Sequence, residues 1–461
     1  MSNVTLLQPG TKPAAPKTKR GTYFVQTWGC QMNEEDSEQM ALYLQELGLK
    51  PAADWREAQV VLLNTCSVRR KPEDKAFSLL GELNLIKANR PEVVIGVAGC
   101  MAQLRAKEIR QKNPLVDFVV GTAQVSEIPG LVEEALQGKR FQTRLDLPER
   151  KGAVVTQIPQ RNLERTGKIK AFVPIQYGCD KFCSFCIVPT TRGRERSRPT
   201  EHIVAEVRRL AELGTKEVTL LGQTVNSYGK NLAEGRVPFS QLLQLLAGIP
   251  GIERIRYTSP YPRDFRTDLI EVIRDVPQVM EHCHMPLQGG NDDLLKRMKR
   301  LYTVESFAAI VSELREKMPD VGLTTDIIVG FPGETEEEFE GTLACMERFQ
   351  FDGAYMFRYS PRPGTPAAEM EQVPTQVGKD RLNKLIAFQR EITLSKNAAC
   401  VGKTYEVLVE GPSPKDPNLL HGYSRCYRKI HFPGDIEKLR GEIIPVTTTE
   451  SHLWGLSGKI A

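Results

Sequence analysis

Short apolar runs alternate with amphipathic stretches through residues 21–140. The apolar runs are rich in Val, Ile and aromatic residues, which favour strands, and the stretches between them have the spacing of helices. This βαβ rhythm predicts an N-terminal domain with a doubly wound parallel sheet. The predicted strands are Tyr23–Trp28, Gln59–Asn64 and Val93–Ala98, and the predicted helices are 34–47, 70–88 and 102–112.

The same alternation returns over residues 171–396, with more strands. Six βα units predict an open, partial (β/α)6 barrel, a fold whose active sites lie on the loops that follow the strands. Helical stretches such as 200–213 and 335–349 separate the strands. The predicted strands are 171–177, 217–221, 254–258, 282–287, 323–329 and 352–359.

The pattern changes again over residues 397–461, where turns with Gly and Pro separate strand-like runs and predict a small all-β barrel. Residues 141–170 carry many Lys and Arg between the two α/β domains, which predicts a basic linker. Residues 1–20 predict a flexible tail. The predicted fold class is therefore α/β with an added β-barrel, whose strands are Thr404–Val409, Lys429–Phe432, Glu442–Thr448 and Leu453–Ile460.

Composition narrows the setting in which this chain works. Its 461 residues carry a formal net charge of +5 and ten cysteines. The charge permits a nucleic-acid partner. The longest apolar run, around Val93–Ala102, is too short to span a bilayer, and the N-terminus does not resemble a signal peptide. We therefore expect a cytoplasmic protein with no membrane contact, whose cysteines bind metal rather than form disulfides.

Cys179, Cys183 and Cys186, the barrel triad, form a CxxxCxxC motif directly after the first barrel strand. Iron–sulfur clusters are usually held by four cysteines, so three thiolates would leave one iron of a 4Fe–4S cluster open. Zinc would need a fourth ligand, and none follows at a suitable spacing. Phe182 and Phe185 are expected to shield the cluster from water. This motif resembles that of radical S-adenosylmethionine (SAM) enzymes, and the resemblance implies that the open iron binds SAM.

Cys30, Cys66 and Cys100, the N-terminal triad, follow the three predicted N-terminal strands. Ligands bind beyond the carboxyl ends of the strands in an open parallel sheet, so these cysteines should converge. Gly29 and Gly99 precede two of them, and glycine lets the backbone approach a bulky ligand closely. Spacing alone leaves two interpretations open: a second three-cysteine metal site, or free cysteines packed as small buried hydrophobes.

Polar loops at the predicted barrel rim offer contacts for SAM. Amide side chains suit a neutral ligand that forms hydrogen bonds, such as an adenosine. A glycine turn would bring the backbone close to whatever lies at the barrel mouth. The candidate cofactor-binding residues are Gln223, Asn226, Gln288, Asp326 and Gly330.

Basic residues next to aromatic ones suggest two places for RNA contact. Alternating arginines follow the barrel triad, and basic and aromatic side chains are interleaved in the C-terminal segment, as in proteins that bind single-stranded nucleic acid. A solvated loop and a solvated β-surface explain the same residues, and both interpretations stay open. The RNA-binding candidates are Arg192, Arg194, Arg196, Tyr423, Arg425, Arg428 and Lys429.

With both triads placed, the chain resembles the radical-SAM methylthiotransferases over nearly its whole length, and within them the MiaB family of tRNA methylthiotransferases. The resemblance implies an N-terminal methylthiotransferase domain, a radical-SAM barrel and a C-terminal TRAM domain that binds RNA. It is carried by Gly29-Cys30-Gln31-Met32-Asn33, Leu63-Asn64-Thr65-Cys66-Ser67-Val68-Arg69, Gly99-Cys100 and Arg362-Pro363-Gly364-Thr365-Pro366.

The resemblance also implies the reaction. A methylthio group would be added to ring carbon 2 of N6-isopentenyladenosine at position 37 of tRNA, with two SAM molecules and two 4Fe–4S clusters. The cluster on the barrel triad would cleave SAM to a radical that abstracts the hydrogen, and the cluster on the N-terminal triad would supply the sulfur. The implied partners are the anticodon stem-loop of tRNA and a reducing protein such as flavodoxin or ferredoxin, while the sulfur donor stays open.

Three alternative functions remain at this point. The acceptor could be a ribosomal protein or threonylcarbamoyl-adenosine in tRNA, or the chain could be a non-catalytic iron–sulfur protein that binds RNA. Structural metal sites are normally closed, whereas both triads stop at three ligands. The chain departs from the family pattern at two places: Gln288-Gly289-Gly290-Asn291 replaces Gln-Ser-Gly-Ser, and Tyr261 replaces a frequent histidine.

Overall fold

An N-terminal α/β domain, a partial α/β barrel and a small closed β-barrel follow one another along the chain. This architecture confirms the predicted fold class. None of the described helices is long and apolar enough to cross a membrane. The predicted tail and most of the predicted basic linker lie outside the described residues. The computed structural model describes residues 21–67, 70–148, 161, 168–232 and 235–461.

The N-terminal domain is built on a sheet of six parallel strands. The strands are β1 (Thr22–Trp28), β2 (Lys50–Pro51), β3 (Val60–Thr65), β4 (Val94–Gly99), β5 (Phe118–Val120) and β6 (Gln142–Arg144). They lie in the order β2-β1-β3-β4-β5-β6. The three strands predicted from the sequence are β1, β3 and β4. Strand β6 falls within the segment predicted as a basic linker. No local signal predicted this strand, because the strand with which it pairs, β5, is distant in the sequence.

Helices cover both faces of this sheet. Successive side chains of a strand point to opposite faces, and Val60 packs with Met40 and Leu131 in one core while Val61 packs with Ala76 in another. Helices on both faces confirm the doubly wound arrangement. The helices are α1 (Gln31–Glu46), α2 (Arg70–Asn89), α3 (Cys100–Lys112), the 3-10 turn Val125–Glu127 and α4 (Ile128–Leu136).

The second domain contains the six predicted parallel strands. They form two sheets, β7-β10-β11 and β12-β13-β14, which a parallel bridge between Ile255 and Val279 connects. Two further short strands, β8 and β9, pair with each other beside the barrel triad. The strands are β7 (Lys170–Pro174), β8 (Gln176–Tyr177), β9 (Arg196–Ser197), β10 (Glu217–Leu221), β11 (Arg254–Tyr257), β12 (His282–His284), β13 (Gly322–Val329) and β14 (Gly353–Arg358).

Eight α-helices accompany these strands in the part of the chain that the structure describes. The predicted helices 200–213 and 335–349 correspond to α6 and α11. The helices are α5 (Val188–Arg192), α6 (Thr200–Glu212), α7 (Phe239–Ala247), α8 (Thr267–Asp275), α9 (Asp292–Arg297), α10 (Val304–Lys317), α11 (Glu336–Phe349) and α12 (Thr375–Ala398), with 3-10 turns at Val225–Ser227, Pro262–Asp264 and Pro366–Glu369.

The C-terminal barrel closes in the order β15-β16-β17-β19-β18, with β15 (Thr404–Pro412), β16 (Leu419–Ser424), β17 (Lys429–Pro433), β18 (Ile443–His452), β19 (Gly455–Ile460) and the short helix α13 (Ile436–Leu439). The four predicted strands are present. Strand β16 was missed because its inward positions include Gly422 and Ser424, which carry little apolar signal. Gly422 is needed there, since a Cβ would lie 2.1 Å from the carbonyl oxygen of Leu408.

Candidate iron–sulfur centre

The barrel triad lies on the loop after β8, at the carboxyl end of the first barrel strand. Cys179 and Cys183 are buried, and Cys186 is partly buried. Gly178 has a φ of +72°, and a Cβ there would lie 2.2 Å from the carbonyl oxygen of Arg194. Glycine is therefore required for this loop to begin so close to the segment that precedes β9.

Of the two phenylalanines in this loop, only Phe185 packs against another ring inside the described part of the protein. Phe185 packs edge-on against Phe331, with ring centres 6.5 Å apart. Phe182 has a left-handed φ of +49° and is 46% exposed, with the guanidinium carbon of Arg194 5.1 Å from its ring centre. Phe182 thus lies at the surface of the loop, and its shielding of a cluster stays a prediction.

Burial keeps the thiols of Cys179 and Cys186 protonated when no metal is bound. Burial raises the pKa of Cys179 to about 11. Burial, followed by the nearby Cys183, raises the pKa of Cys186 to about 12. Since iron binds the thiolate, loading this site must release protons. The described residues hold no group of three His, Cys, Asp or Glu side chains gathered around a single metal-ion position. Three cysteines that bind separate irons of one cluster would not surround a single ion position, so each triad stays a candidate set of cluster ligands.

The N-terminal triad lies at the carboxyl ends of three neighbouring strands. Thr65, which ends β3, is in register with Gly99 at the end of β4 and with the last residue of β1. Cys66 and Cys100 each follow by one residue and are buried, while Cys30 follows by two and is exposed. The predicted convergence of the three cysteines at one sheet edge is therefore present.

Two asparagines orient the loops of the N-terminal triad. Asn33 accepts a hydrogen bond from the thiol of Cys30 at 3.3 Å and donates one to Asn64 at 3.0 Å. A Cβ on Gly29 would lie 2.6 Å from the amide oxygen of Asn33, and one on Gly99 would lie 2.4 Å from that of Asn64. Both glycines thus make room for this asparagine pair, and their role beside a bulky ligand stays a prediction.

A short helix connects the two triads. Helix α5 begins two residues after Cys186 and ends at Arg192, whose guanidinium donates to Asp36 of the N-terminal domain at 2.8 Å. Burial lowers the pKa of Arg192, but Asp36 and the thiols of Cys100 and Cys30 outweigh it, so the pKa lies above its usual value. The six residues from Cys186 to Arg192 span at most about 21 Å. The loop of the barrel triad therefore lies near the N-terminal triad.

Two further ion pairs hold the N-terminal domain against the barrel. Arg362 donates to Glu73 at 3.1 Å, and Glu73 also accepts a hydrogen bond from Ser67, next to the N-terminal triad, at 2.8 Å. Arg161 pairs with Glu35. With the pair made by Arg192, three arginines outside the N-terminal domain thus bind three of its carboxylates around the cysteine loops. The Arg362 motif quoted from the sequence therefore contributes to docking.

Family models match all three domains. A model described as Radical SAM superfamily matches residues 173–346, and a model described as TRAM domain matches residues 398–461. A model described as Uncharacterized protein family UPF0004 matches residues 22–121, the region of the N-terminal triad.

Curated relatives match the chain from end to end. A tRNA-2-methylthio-N(6)-dimethylallyladenosine synthase of Moorella thermoacetica is 47% identical over 96% of this chain and 98% of its own. This chain belongs to that synthase family. The synthase of Bacillus subtilis is 44% identical over 95% of this chain and 85% of its own. The predicted membership of the MiaB-type radical-SAM methylthiotransferases is confirmed.

Solved structures support the fold of this synthase. The radical SAM methyltransferase TsrM from Kitasatospora setae, with cobalamin and a [4Fe-4S] cluster bound, has a TM-score of 0.54 and 14% identity, covering 76% of this chain and 77% of its own. Radical-SAM enzymes use SAM and 4Fe–4S clusters, so the predicted cofactors are confirmed for this member of the superfamily.

Three glutamines at the barrel mouth of this synthase have buried side-chain polar atoms with no protein partner. They are the Oε1 atoms of Gln223 and Gln288 and both amide atoms of Gln176. A Cβ on Gly222 would lie 3.5 Å from the Oε1 atom of Gln176, which places this amide beside the loop of Gln223. Buried polar groups are normally paired, so this set fits a polar ligand such as SAM. Sequence reasoning missed Gln176, although it directly precedes the cysteine loop.

The other predicted cofactor contacts are engaged within the protein. Asn226 accepts a hydrogen bond from the backbone N–H of Tyr261 at 2.7 Å and donates to its carbonyl at 2.9 Å. The N–H of Gly330, at φ +65°, donates to Glu334 at 2.6 Å. Asp326 is partly exposed and lies 3.4 Å from His284. We therefore assign Asn226 and Gly330 to the scaffold of the rim.

The arginines after the barrel triad differ in their surroundings. Arg192 and Arg196 are buried, so neither is available on a surface, and this corrects the expectation that both bind RNA. The Nε and Nη1 atoms of Arg196 are buried without a partner, and burial lowers its pKa to about 10. Arg194 is half exposed and pairs with Asp180 at 2.7 Å.

Most RNA candidates in the C-terminal barrel lie against the central barrel. Arg425 pairs with Glu281 at 2.8 Å, and Arg428 pairs with Asp352 at 2.8 Å. The ring of Tyr423 is stacked on another tyrosine at 4.7 Å in the same contact. These side chains dock two domains, because the barrel strands supply carboxylates that sequence reasoning could not pair with them. Among the described residues, Lys429 forms no ion pair with the central barrel.

In the rim loop, Gly290 is the glycine of the family pattern, and the departure at Asn291 has a structural explanation. A Cβ on Gly290 would lie 2.5 Å from the carbonyl oxygen of Gly341, so this position has room only for glycine. Asn291 caps α9 and accepts hydrogen bonds from the N–H groups of Asp293 at 2.9 Å and Leu294 at 3.1 Å. Asn and Ser are both favoured helix caps. The replacement of the second serine by Asn291 therefore keeps the function of this position.

Proposed function

We propose that this chain methylthiolates ring carbon 2 of N6-isopentenyladenosine at position 37 of tRNA, and that both cysteine triads take part. One observation carries the proposal: helix α5 joins the loop of the barrel triad to the buried pair of Arg192 and Asp36 beside the N-terminal triad. Two clusters held this close could act on one bound nucleoside. The name that the curated relatives share supports tRNA as the acceptor, and the site does not require an acceptor of another class.

Each triad has a distinct part in this proposal. Cys179, Cys183 and Cys186 would hold the cluster that binds SAM, and Cys30, Cys66 and Cys100 would hold the cluster that carries sulfur. When bound, the clusters supply the electron that cleaves SAM and the sulfur that is transferred, which protein side chains cannot provide. The protein orients these groups and excludes water, and the buried amides of Gln176, Gln223 and Gln288 are the SAM contacts that we propose.

The experiment that tests this proposal is anaerobic reconstitution of the whole chain with iron and sulfide. We expect about eight irons per chain from two four-iron clusters. With SAM, a reductant and tRNA carrying N6-isopentenyladenosine, nucleoside mass spectrometry should detect the methylthiolated nucleoside. A preparation stripped of iron should form none. A chain that binds four irons and still forms the product contradicts the two-cluster assignment.

For the RNA surface we propose a different face of the C-terminal barrel. Trp454, at the turn between β18 and β19, is 78% exposed. A Cβ on the next residue, Gly455, would lie 2.7 Å from the carbonyl oxygen of Lys429, so the turn that carries Trp454 lies beside this lysine. His431 lies close enough that Lys429 helps to lower its pKa, after burial. An exposed indole beside basic groups suits base stacking and phosphate contact.

We expect Trp454→Ala to weaken the binding of tRNA about tenfold, because stacking of one base contributes about 1–3 kcal/mol. Lys429→Ala should weaken it less and should also reduce its salt dependence. Filter binding of tRNA at two salt concentrations measures both. The matched control is Leu245→Ala, which removes an exposed apolar side chain from α7 and should change nothing. Equal binding by Trp454→Ala and the unchanged protein rules out this face.

The remaining parts of the proposal concern partners and boundaries. We propose flavodoxin or ferredoxin as the class of reductant, since the SAM-cleaving step needs one electron at a low potential. A tRNA substrate supports a cytoplasmic place of action. For the domains we keep 171–396 and 397–461, and we extend the N-terminal domain from 21–140 to the end of β6 at Arg144, where the linker begins.

A further inference from the structure

One arginine donates a hydrogen bond to a cysteine of the barrel triad. Arg300 lies in the loop after α9, and its Nη1 atom is 3.3 Å from the Sγ atom of Cys183. This contact joins residues 117 positions apart in the chain. No motif in the sequence pointed to it.

Arg300 is held in place on several sides. Its guanidinium carbon lies 4.6 Å from the ring centre of Tyr261 and 5.0 Å from that of Tyr302. Its Nε atom donates to the hydroxyl of Tyr302 at 2.9 Å, and its Nη2 atom donates to the carbonyl of Pro286 at 3.2 Å. The side chain therefore has one orientation, in which its Nη1 atom points at the sulfur of Cys183.

Tyr261 contributes to this arrangement through both its ring and its hydroxyl. The hydroxyl accepts a hydrogen bond from the backbone N–H of Leu301 at 3.0 Å, which fixes the residue next to Arg300. Its ring also lies 4.7 Å from the ammonium group of Lys181, inside the cysteine loop. The tyrosine that replaces a frequent histidine thus packs between two cations that flank the barrel triad.

No carboxylate of the described residues forms an ion pair with Arg300. Arg300 is partly buried. A charge held in such a place without a carboxylate usually costs stability, so its retention calls for another anionic partner. A thiolate of Cys183 bound to iron would be such a partner. The cation and its N–H donor would then stabilise the reduced cluster more than the oxidised cluster, because the reduced cluster carries one more electron.

We propose that Arg300 is a positioning residue that sets the reduction potential of the cluster on the barrel triad through its hydrogen bond to Cys183. The inference rests on the proposed function in one respect, namely that this triad holds a 4Fe–4S cluster. Arg300 raises the potential, so that the cluster can accept an electron from the reductant.

The experiment compares Arg300→Met and Arg300→Lys with the unchanged holoenzyme in a potentiometric titration followed by paramagnetic resonance. The signal that changes when SAM is added identifies the cluster on the barrel triad. We expect Arg300→Met to lower its ratio of reduced to oxidised form about tenfold at a fixed potential, about 59 mV for one electron. Arg300→Lys, which keeps the charge, should show a smaller shift. The cluster on the N-terminal triad should keep its potential in both variants.

Two further variants separate this role from a purely structural one. Arg297→Met removes an arginine three positions away that pairs with Glu338, and it should leave both potentials unchanged. Tyr302→Phe removes the hydroxyl that holds Arg300, and it should shift the same cluster in the same direction by less. An unshifted potential in Arg300→Met with a full iron content overturns the inference, as does an equal shift of both clusters. A protein that binds no cluster on the barrel triad overturns the proposed function instead.

Discussion

Cys100→Ala is expected to abolish the methylthiolated nucleoside while the enzyme still cleaves SAM. Cys100 begins α3 at the end of β4 and belongs to the N-terminal triad, whereas SAM cleavage depends on the loop of the barrel triad. Loss of one of three ligands should prevent the sulfur-bearing cluster from forming. Cys183→Ala removes a ligand of the other cluster, and it should abolish both activities. Parallel assays of 5′-deoxyadenosine and of modified nucleosides, with reconstituted protein, distinguish the two results.

The matched control for these variants is Cys345→Ala. Cys345 is buried in α11, outside both triads, so its replacement tests the effect of losing any buried thiol. It should keep both activities. Normal methylthiolation of tRNA by Cys100→Ala contradicts the assignment of the second cluster, whatever the iron content of the preparation.

Arg192→Met is expected to have the largest effect on stability. Arg192 and Asp36 are 4% and 6% exposed and lie 2.8 Å apart across the contact of two domains. Removal of one partner leaves the other charge buried and unpaired, which costs about 3–5 kcal/mol. Two of the three tryptophans, Trp28 and Trp55, lie in the N-terminal domain. Their fluorescence during unfolding of the metal-free protein in urea therefore measures the decrease in the free energy of unfolding.

A second substitution shows whether the effect arises from this ion pair. Asp36→Leu combined with Arg192→Met removes both charges, and it should restore part of the lost stability. Arg194→Met, two residues along the chain, breaks a half-exposed pair and should change the free energy of unfolding by less than about 1 kcal/mol. If Arg192→Met unfolds at the same urea concentration as the unchanged protein, this pair does not hold the domains together.

Local patterns were enough to predict the architecture and both cysteine triads. The alternation of strands and helices fixes where β1, β3 and β4 end, and each of these strand ends is followed by a triad cysteine. Parallel strands align their carboxyl ends, so the convergence of Cys30, Cys66 and Cys100 followed without knowledge of any tertiary contact. The six barrel strands followed for the same reason, because side-chain periodicity is a property of neighbouring residues.

The partners of the charged and polar side chains depended on how the domains dock. Arg192, Arg425 and Arg428 read as RNA contacts, yet each pairs with a carboxylate of another domain or strand far away in the sequence. Asn226 and Arg300 likewise have roles that only their distant neighbours define. Periodicity reports which face of an element is buried. It carries no information on which distant group completes a hydrogen bond, and that is decided when the elements pack in three dimensions.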